Sequence, residues 1–342
     1  MRILRLPRRW RGRSGFRLQE AIQLGSTVHA LGEVALVDRL RRRLDRVSRR
    51  RGRRQGWVVE AGIGDDAALL RGPGNRLLLF ASDMIVEGVH FRLPRRRRGR
   101  GILPARWIGW KALAANVSDM AAMGGRPLAA VVSLGVPRQT AVRFIDELYG
   151  GLARCANRFD VTIVGGDTVR APRVTVDVAI LGTVERKHVT LRSGARVGDV
   201  LFVTGRLGGS LRSGRHARFL PRVREAQALV RRVKVHAMMD LSDGLASDLW
   251  QMSRASRARL RIRRAAVPVS RSAGSVEHAL MDGEDFELLF AVAPRDVPRV
   301  PRRLGACSVT PVGVVVGRGV RVEQEYPDGR IRPLVPTGFK HF

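Results

Sequence analysis

Cysteines, lysines and long apolar runs are scarce in this chain, and each scarcity excludes something. Two cysteines in 342 residues, Cys155 and Cys307, are too few for a disulfide framework or a cysteine-built zinc site, which fits a reducing, cytoplasmic setting. No apolar stretch approaches ~18 residues, so no membrane-spanning helix is expected. The first thirty residues are basic but hold no continuous apolar core, which argues against a cleaved secretory signal. Four lysines (Lys111, Lys187, Lys234 and Lys340) stand against 59 arginines. None of the four follows a glycine, so the lysine-containing phosphate loop G-x-x-x-x-G-K-[ST] is absent. The glycine-rich and catalytic loops of protein kinases are absent too. The glycines from Gly205 to Gly209 lack the third one of a dinucleotide fingerprint.

Arginine is abundant along the whole chain, which reads as a compositional bias rather than a built patch. Its densest runs, Arg49 to Arg54 and Arg95 to Arg98, are expected to be solvated loops. Aromatics make up 5% of the chain and do not interleave with those runs as a base-stacking surface requires. Specific nucleic-acid binding is therefore not expected.

The acids are few, 30 against 63 basic residues, and they gather beside glycines and serines. The clusters are Gly62-Ile63-Gly64-Asp65-Asp66, Ser82-Asp83, Asn116-Val117-Ser118-Asp119, Gly165-Gly166-Asp167, Asp240-Leu241-Ser242-Asp243-Gly244 and Gly283-Glu284-Asp285. Several follow an apolar run directly, as in LLLFASD, VTIVGGD and AMMDLSD, which places them at the ends of buried strands. Each has a plain reading alone: Asp243-Gly244 is a common turn pair, and Asp243 suits the cap of a helix starting near Leu245. Ser118-Asp119 sits within an apolar helical pattern, and His90 beside Phe91 suits a packed histidine. Six clusters at the ends of separate elements are harder to assign to six turns. Converging carboxylates need cations between them, and Mg²⁺ suits that role, taking one or two carboxylates and filling its shell with water and phosphate oxygens. With no lysine loop, phosphate would be held by metal ions, arginines and exposed backbone N–H groups at glycine turns. The pattern predicts a magnesium–nucleotide site.

Residues 1–31 read as a basic extension without fixed structure, followed by halves of 32–190 and 191–342. In the first half, Glu33 to Val47 and Thr140 to Phe159 repeat apolar residues at helical spacing, and Arg106 to Met123 is a long helical pattern stopped by Gly124-Gly125 and Pro127. Strands are expected at WVVEAGIGDDAALL, RLLLFASDMIVEGVHF, LAAVVSLGV, VTIVGGD and VTVDVAILGTV. In the second half DVLFVTG, HAMMDLSD, RLRIRRAAVPVS and ELLFAVA read as strands, with helices at REAQALVRRV and LASDLWQMSRAS and short strands to the end. Strands that follow one another without a helix argue against an all-parallel sheet, so the fold class is α+β with helices on one face.

Taken in order, GIGDDAAL, SDMIVEGVHF, WKALAANVSDMAAMGGRP, VGGDTVR, MDLSDGLASDL and GEDFELLF resemble the thiamine-monophosphate kinase family, within the aminoimidazole ribonucleotide synthetase-like ATP-binding superfamily. The resemblance runs from about Gly32 to Gly338-Phe339-Lys340-His341-Phe342 and leaves out residues 1–31. It implies two α/β domains, the N-terminal one dimerising into a homodimer and the C-terminal one closing the site. It also implies ATP-dependent phosphorylation of thiamine phosphate with several Mg²⁺ ions. By position in the motifs, Asp66, Ser82, Asp83, Asp119, Asp167, Asp240 and Asp243 would ligate the metals, with Asp119 and Asp240 central to catalysis. Tyr149, Gly166, Asp167, Arg192 and Ser242 would contact ATP; His90, Glu284 and Phe339 would line the acceptor pocket. The chain departs from the family at Ala81, where a hydroxyl residue is usual, and at Gly208-Gly209, where Gly-Asp is more frequent. The stretch from Gly208 to Met239 is short, and only Met281-Asp282-Gly283 precedes Glu284. Two other functions compete: the same superfamily chemistry on a different acceptor, and a catalytically silent basic homologue that binds nucleic acid.

Overall fold

The computed structural model describes residues 27–48, 56–73, 77–93 and 102–336. Phe339 and both dense arginine runs lie outside them. Val28–Leu31 is a helical turn, where the sequence suggested loose chain, and helix α1 (Glu33–Ser48) follows after Gly32. These helices belong to a compact unit of their own.

The second unit holds two sheets. The first has six strands: β1 (Val58–Ala61), β2 (Ala68–Arg71), β3 (Leu77–Val86), β4 (Arg126–Val136), β5 (Thr162–Arg170) and β6 (Thr175–Val184), in the spatial order β1-β2-β3-β6-β4-β5. All its pairings are antiparallel except β4 with β5. Helices α2 (Ala105–Ala122) and α3 (Val142–Phe159) pack on one face of this sheet. The other face keeps Phe80, Met84, Leu128, Val131, Val164 and Leu181 exposed. Strand β3 shows why: with period 2, Leu77, Leu79, Ala81 and Ile85 point to the helices, and Phe80, Ser82 and Met84 point away.

The second sheet is built from β7 (Val200–Thr204), β8 (Val235–Asp240), β9 (Ala258–Arg263), β10 (Leu288–Val292), β11 (Arg303–Leu304), β12 (Cys307–Arg318), β13 (Arg321–Glu325) and β14 (Ile331–Pro333). Its order is β14-β13-β9-β12-β7-β10-β8, with β11 beside β12, and β13 runs parallel to β9. Strand β12, at twelve residues, is longer than the short closing strands expected. Here helices lie on both faces, not one. Phe202, Met238, Leu288 and Phe290 share a core with α2 and with α4 (Val223–Arg232). Leu201, Val203, Met239 and Leu289 share a second core with α5 (Leu245–Ser256) and α6 (Val276–Met281). Helix α2 therefore lies between the two sheets, which explains why it is apolar all round. It starts after Pro104 and stops at Gly124, whose positive φ of 70° is the left-handed conformation that ends helices, with its N–H bonded to the Ala121 carbonyl (2.9 Å). No helix among the described residues is long and apolar enough to cross a membrane.

Candidate active site

Helix α2 carries four polar side chains in an apolar environment, and they point in two directions. Asn116 faces β3, its Oδ1 accepting the Asp83 N–H at 3.0 Å. Lys111 and Ser118, two turns apart on one side, reach the second half of the molecule. The Ser118 hydroxyl donates to Asp240 Oδ2 at 2.6 Å, and the Lys111 ammonium donates to Glu284 and, at 2.9 Å, to the His90 carbonyl. Asp119 completes the set at the last turn of the helix.

Strand alternation brings Asp240 to the same place. Met238 faces α2, Met239 faces away, and so Asp240, at the end of β8, faces α2 again. Asp66, in the turn between β1 and β2, comes from a third direction. One carboxylate oxygen each from Asp66, Asp119 and Asp240 lies within 4.8 Å of the other two. Arg192 partners the turn: its Nε and Nη2 donate to Asp66 Oδ1 at 3.0 and 2.7 Å, its backbone N–H reaches Asp65, and its Nη1 donates to Gln251 at 2.5 Å. Asp66 Oδ2 is buried with no hydrogen-bond partner. A buried orphan oxygen is costly unless something binds it. With two further carboxylates beside it, the donor set fits a hard divalent cation.

The electrostatics agree with the geometry. Burial pushes the Asp240 carboxyl up to about 8, with Asp66 adding to the rise and the Ser118 hydrogen bond opposing it. Burial first, then the neighbouring Asp83, Asp240 and Asp66, raises Asp119 well above the carboxylate range. Asp66 is raised as well, despite Arg192. Asp65 rises to about 7, through burial and then Asp66. Asp83 remains open to solvent at the mouth of the cluster but is withdrawn from bulk water by the protein around it, and rises to about 6. Burial opposes the charge of Arg192, but Asp66, Asp240 and Asp65 outweigh it and the guanidinium stays charged. One guanidinium among this many carboxylates leaves a site that favours added positive charge.

Asp243 adjoins this group, with Gln251 Nε2 donating to its Oδ2 at 3.0 Å. It does not cap α5, whose N-cap is Gly244; instead the Asp243 backbone N–H points to Asp248 Oδ2 (3.3 Å). Ser242 lies alongside, its hydroxyl 3.4 Å from Asp243 Oδ1. Ser82 and Asp167 are not brought into the cluster. Ser82 points to the opposite face of β3 from Asp83 and donates to Asp177 at 2.9 Å. The register sets Asp177, Ser133 and Asp167 side by side across β6, β4 and β5, with Asp167 exposed. Gly166 is required by packing, since a Cβ there would meet the Val132 carbonyl oxygen at 1.8 Å. Tyr149 is half-exposed on α3.

Glu284 and His90 are brought together across the halves by Lys111. His90 Nδ1 also accepts the Val86 N–H at 3.0 Å. Glu284 and Phe286 both adopt left-handed backbone, φ 62° and 49°, which non-glycine residues hold only where the surroundings impose it. Asp285 is structural: it accepts from the Gly208 N–H (2.6 Å) and the Ser210 hydroxyl (2.5 Å). The Gly208-Gly209 departure has a local cause. At Gly209 (φ 71°) a side chain would begin 2.4 Å from the Ser272 backbone, so this turn has no room for an aspartate.

Three residues of the site were missed in the sequence. Lys111 carried a signal, a single lysine within an apolar helix of an arginine-rich chain. Asp248, fully buried in the first turn of α5 and part of the MDLSDGLASDL motif, and Gln251, which links Arg192 to Asp243, were not singled out.

Known proteins resemble this chain in sequence and in fold. The AIR synthase related protein N-terminal domain matches residues 64–184 and the corresponding C-terminal domain matches residues 196–324. The thiamine-monophosphate kinase of Rhodopirellula baltica is 40% identical over 310 residues, 85% of this chain and 94% of that protein. A solved structure of AaThiL complexed with AMPPCP and TMP superposes with a TM-score of 0.77 at 29% identity, over 93% of this chain and 99% of the other. Hydrogenase maturation protein HypE in complex with ATP, at 20% identity and a TM-score of 0.64 over 77% of this chain and 85% of the other, shares the fold alone.

Proposed function

Because the chain belongs to the thiamine-monophosphate kinase family, we propose that it transfers the terminal phosphoryl group of ATP directly, in line, to thiamine phosphate, giving ADP and thiamine diphosphate. The observation that carries this reading is the convergence of Asp66, Asp119 and Asp240 from three separate elements, with an unpartnered buried oxygen on Asp66. These three, with Asp83 and Asp243 at their edge, would hold Mg²⁺. Ser82 and Asp167 would serve metals nearer the outer face of the first sheet. Bound there, Mg²⁺ would supply neutralisation of the charge that two polyanions bring together.

The chain's own residues account for the rest. The acceptor is a phosphate monoester with a second pKa near ~6, so its oxygen is already anionic at neutral pH and no strong general base is needed. Arg192, held charged by Asp66, supplies a fixed positive group beside the acids for ATP, with Ser242, Tyr149 and the Gly166-Asp167 backbone as further contacts. Ser118 and Asn116 fix the orientation of Asp240 and of the β3 backbone at Asp83, so these groups need little reorganisation when the reactants bind. Glu284 accepts hydrogen bonds from the amino-bearing ring of thiamine phosphate, and His90 lines the same pocket. Phe339 would close it.

A homodimer fits the exposed apolar face of the first sheet, where Phe80, Met84, Leu128, Val131, Val164 and Leu181 need a covering partner. Two free, buried cysteines fit a cytoplasmic location. Purified protein assayed with ATP, Mg²⁺ and a panel of thiamine phosphate, thiamine and unrelated phosphate monoesters tests the reading. Turnover confined to thiamine phosphate supports it, and turnover on another monoester alone moves the chain to a sister activity on this fold.

A further inference from the structure

Lys111 is fully buried, and burial penalises its ammonium and lowers its pKa. Such a group persists in a core only where paired and hydrogen-bonded. Its partners are specific. One N–H goes to Glu284 and one to the carbonyl of His90, the two described residues placed at the acceptor pocket. They come from different halves of the molecule and meet at the one Lys111 nitrogen. His216, close enough to feel the charges of both Lys111 and Glu284, has a buried Nε2 without a hydrogen-bond partner, as expected where a ligand makes up the polar balance.

We infer that Lys111 is a positioning residue for acceptor recognition: it fixes one oxygen of Glu284 and the His90 turn, leaving the second Glu284 oxygen aimed and charged for the donor groups of the acceptor. The inference rests on the reading of Glu284 given above. One oxygen engaged and one available matches a carboxylate used to read a ring N–H. The left-handed backbone of Glu284 shows that its placement is imposed by its surroundings, and Lys111 holds its side-chain end. Arginine predominates in this chain, but its fork would not fit a site built around a single compact ammonium.

The test is a double-variant cycle read on the separate KM values for thiamine phosphate and ATP. Glu284→Gln alone checks the underlying reading: an unchanged KM for thiamine phosphate would discard the role of Glu284 itself. If that KM rises, Lys111→Met should raise it by a similar factor, about ten- to a hundredfold for a lost charge-assisted contact, with the KM for ATP within about twofold of wild type. The pair Lys111→Met with Glu284→Gln should then be no worse than Glu284→Gln alone. A purely structural lysine would shift both KM values and kcat together, and that result overturns the inference. Should Lys111→Met fail to fold, the double variant, which leaves no lone buried charge, decides. A KM equal to that of Glu284→Gln supports positioning through Glu284, and one tenfold higher shows that Lys111 acts independently of it.

Discussion

Asp240→Asn offers a sharp physical test, because it replaces a buried carboxylate with a group of the same shape that does not titrate. The Asp240 carboxyl has a pKa of about 8 in the folded protein against an ordinary 3.8. The native state therefore holds its proton more tightly than the unfolded chain does. Its favourable contribution is complete below pH 4 and declines as pH rises towards 8, by about 1.36 kcal/mol per pH unit. Asparagine keeps the shape and does not titrate. In EDTA, the stability of Asp240→Asn relative to wild type should rise by about 2–3 kcal/mol between pH 5.5 and 7.5. At roughly 2 °C per kcal/mol for a chain of this size, that is a relative change of about 5 °C in Tm. Comparing two proteins at each pH removes the distant charges, while the coupled Asp66, Asp83 and Asp119, relieved of a like charge in the variant, add to the same trend. Adding Mg²⁺ at pH 7.5 should cancel that gain. A cation at a hundred times its Kd adds about 2.7 kcal/mol to wild type and much less to the variant. Melting curves at both pH values, with and without Mg²⁺, provide the measurement. A difference that stays flat, or that grows as pH falls, would refute a buried, proton-holding carboxylate at this position.

Two further outcomes follow from the packing. Phe80→Glu, on the exposed face of β3, should turn the proposed homodimer into a folded monomer in sedimentation or light scattering; a wild type that is already monomeric, or a variant of unchanged dimeric mass, would contradict a dimer contact on this face. Gly109→Ala should destabilise by about 1–3 kcal/mol despite the better helix propensity of alanine, since its Cβ would begin 1.9 Å from the Leu148 carbonyl oxygen where α2 crosses α3. A raised denaturation midpoint would contradict so close a crossing.

Much of this was legible in the sequence, for identifiable reasons. Apolar runs ending in glycine or aspartate did mark strands, but only Asp240 ends its strand: β3 runs on past Asp83 to Val86 and β5 past Asp167 to Arg170. The α+β class followed from strands without helices between them. The sheet coverage was not legible, because an all-apolar helix reads the same whether it caps one sheet or lies between two, as α2 does. Ser82 and Asp83 were adjacent in a motif and so were grouped, although a strand sends neighbours to opposite faces. Asp248 and Gln251 were invisible for a different reason. Their partners are distant in sequence or across a turn, and helical spacing alone gives a buried acid no mark. Lys111 lay between these cases: its rarity was countable, but its two partners, 21 residues before it and 173 after it, were not.

If the Asp66–Asp119–Asp240 cluster drives phosphoryl transfer from ATP to thiamine phosphate, phosphorus NMR of one reaction mixture, with wild type and with Asp119→Asn, will show it. Wild type should consume the ATP γ resonance and give the two coupled resonances of thiamine diphosphate, and a folded Asp119→Asn variant should do so slower by orders of magnitude. Inorganic phosphate in place of thiamine diphosphate, or an Asp119→Asn rate close to wild type, would contradict it.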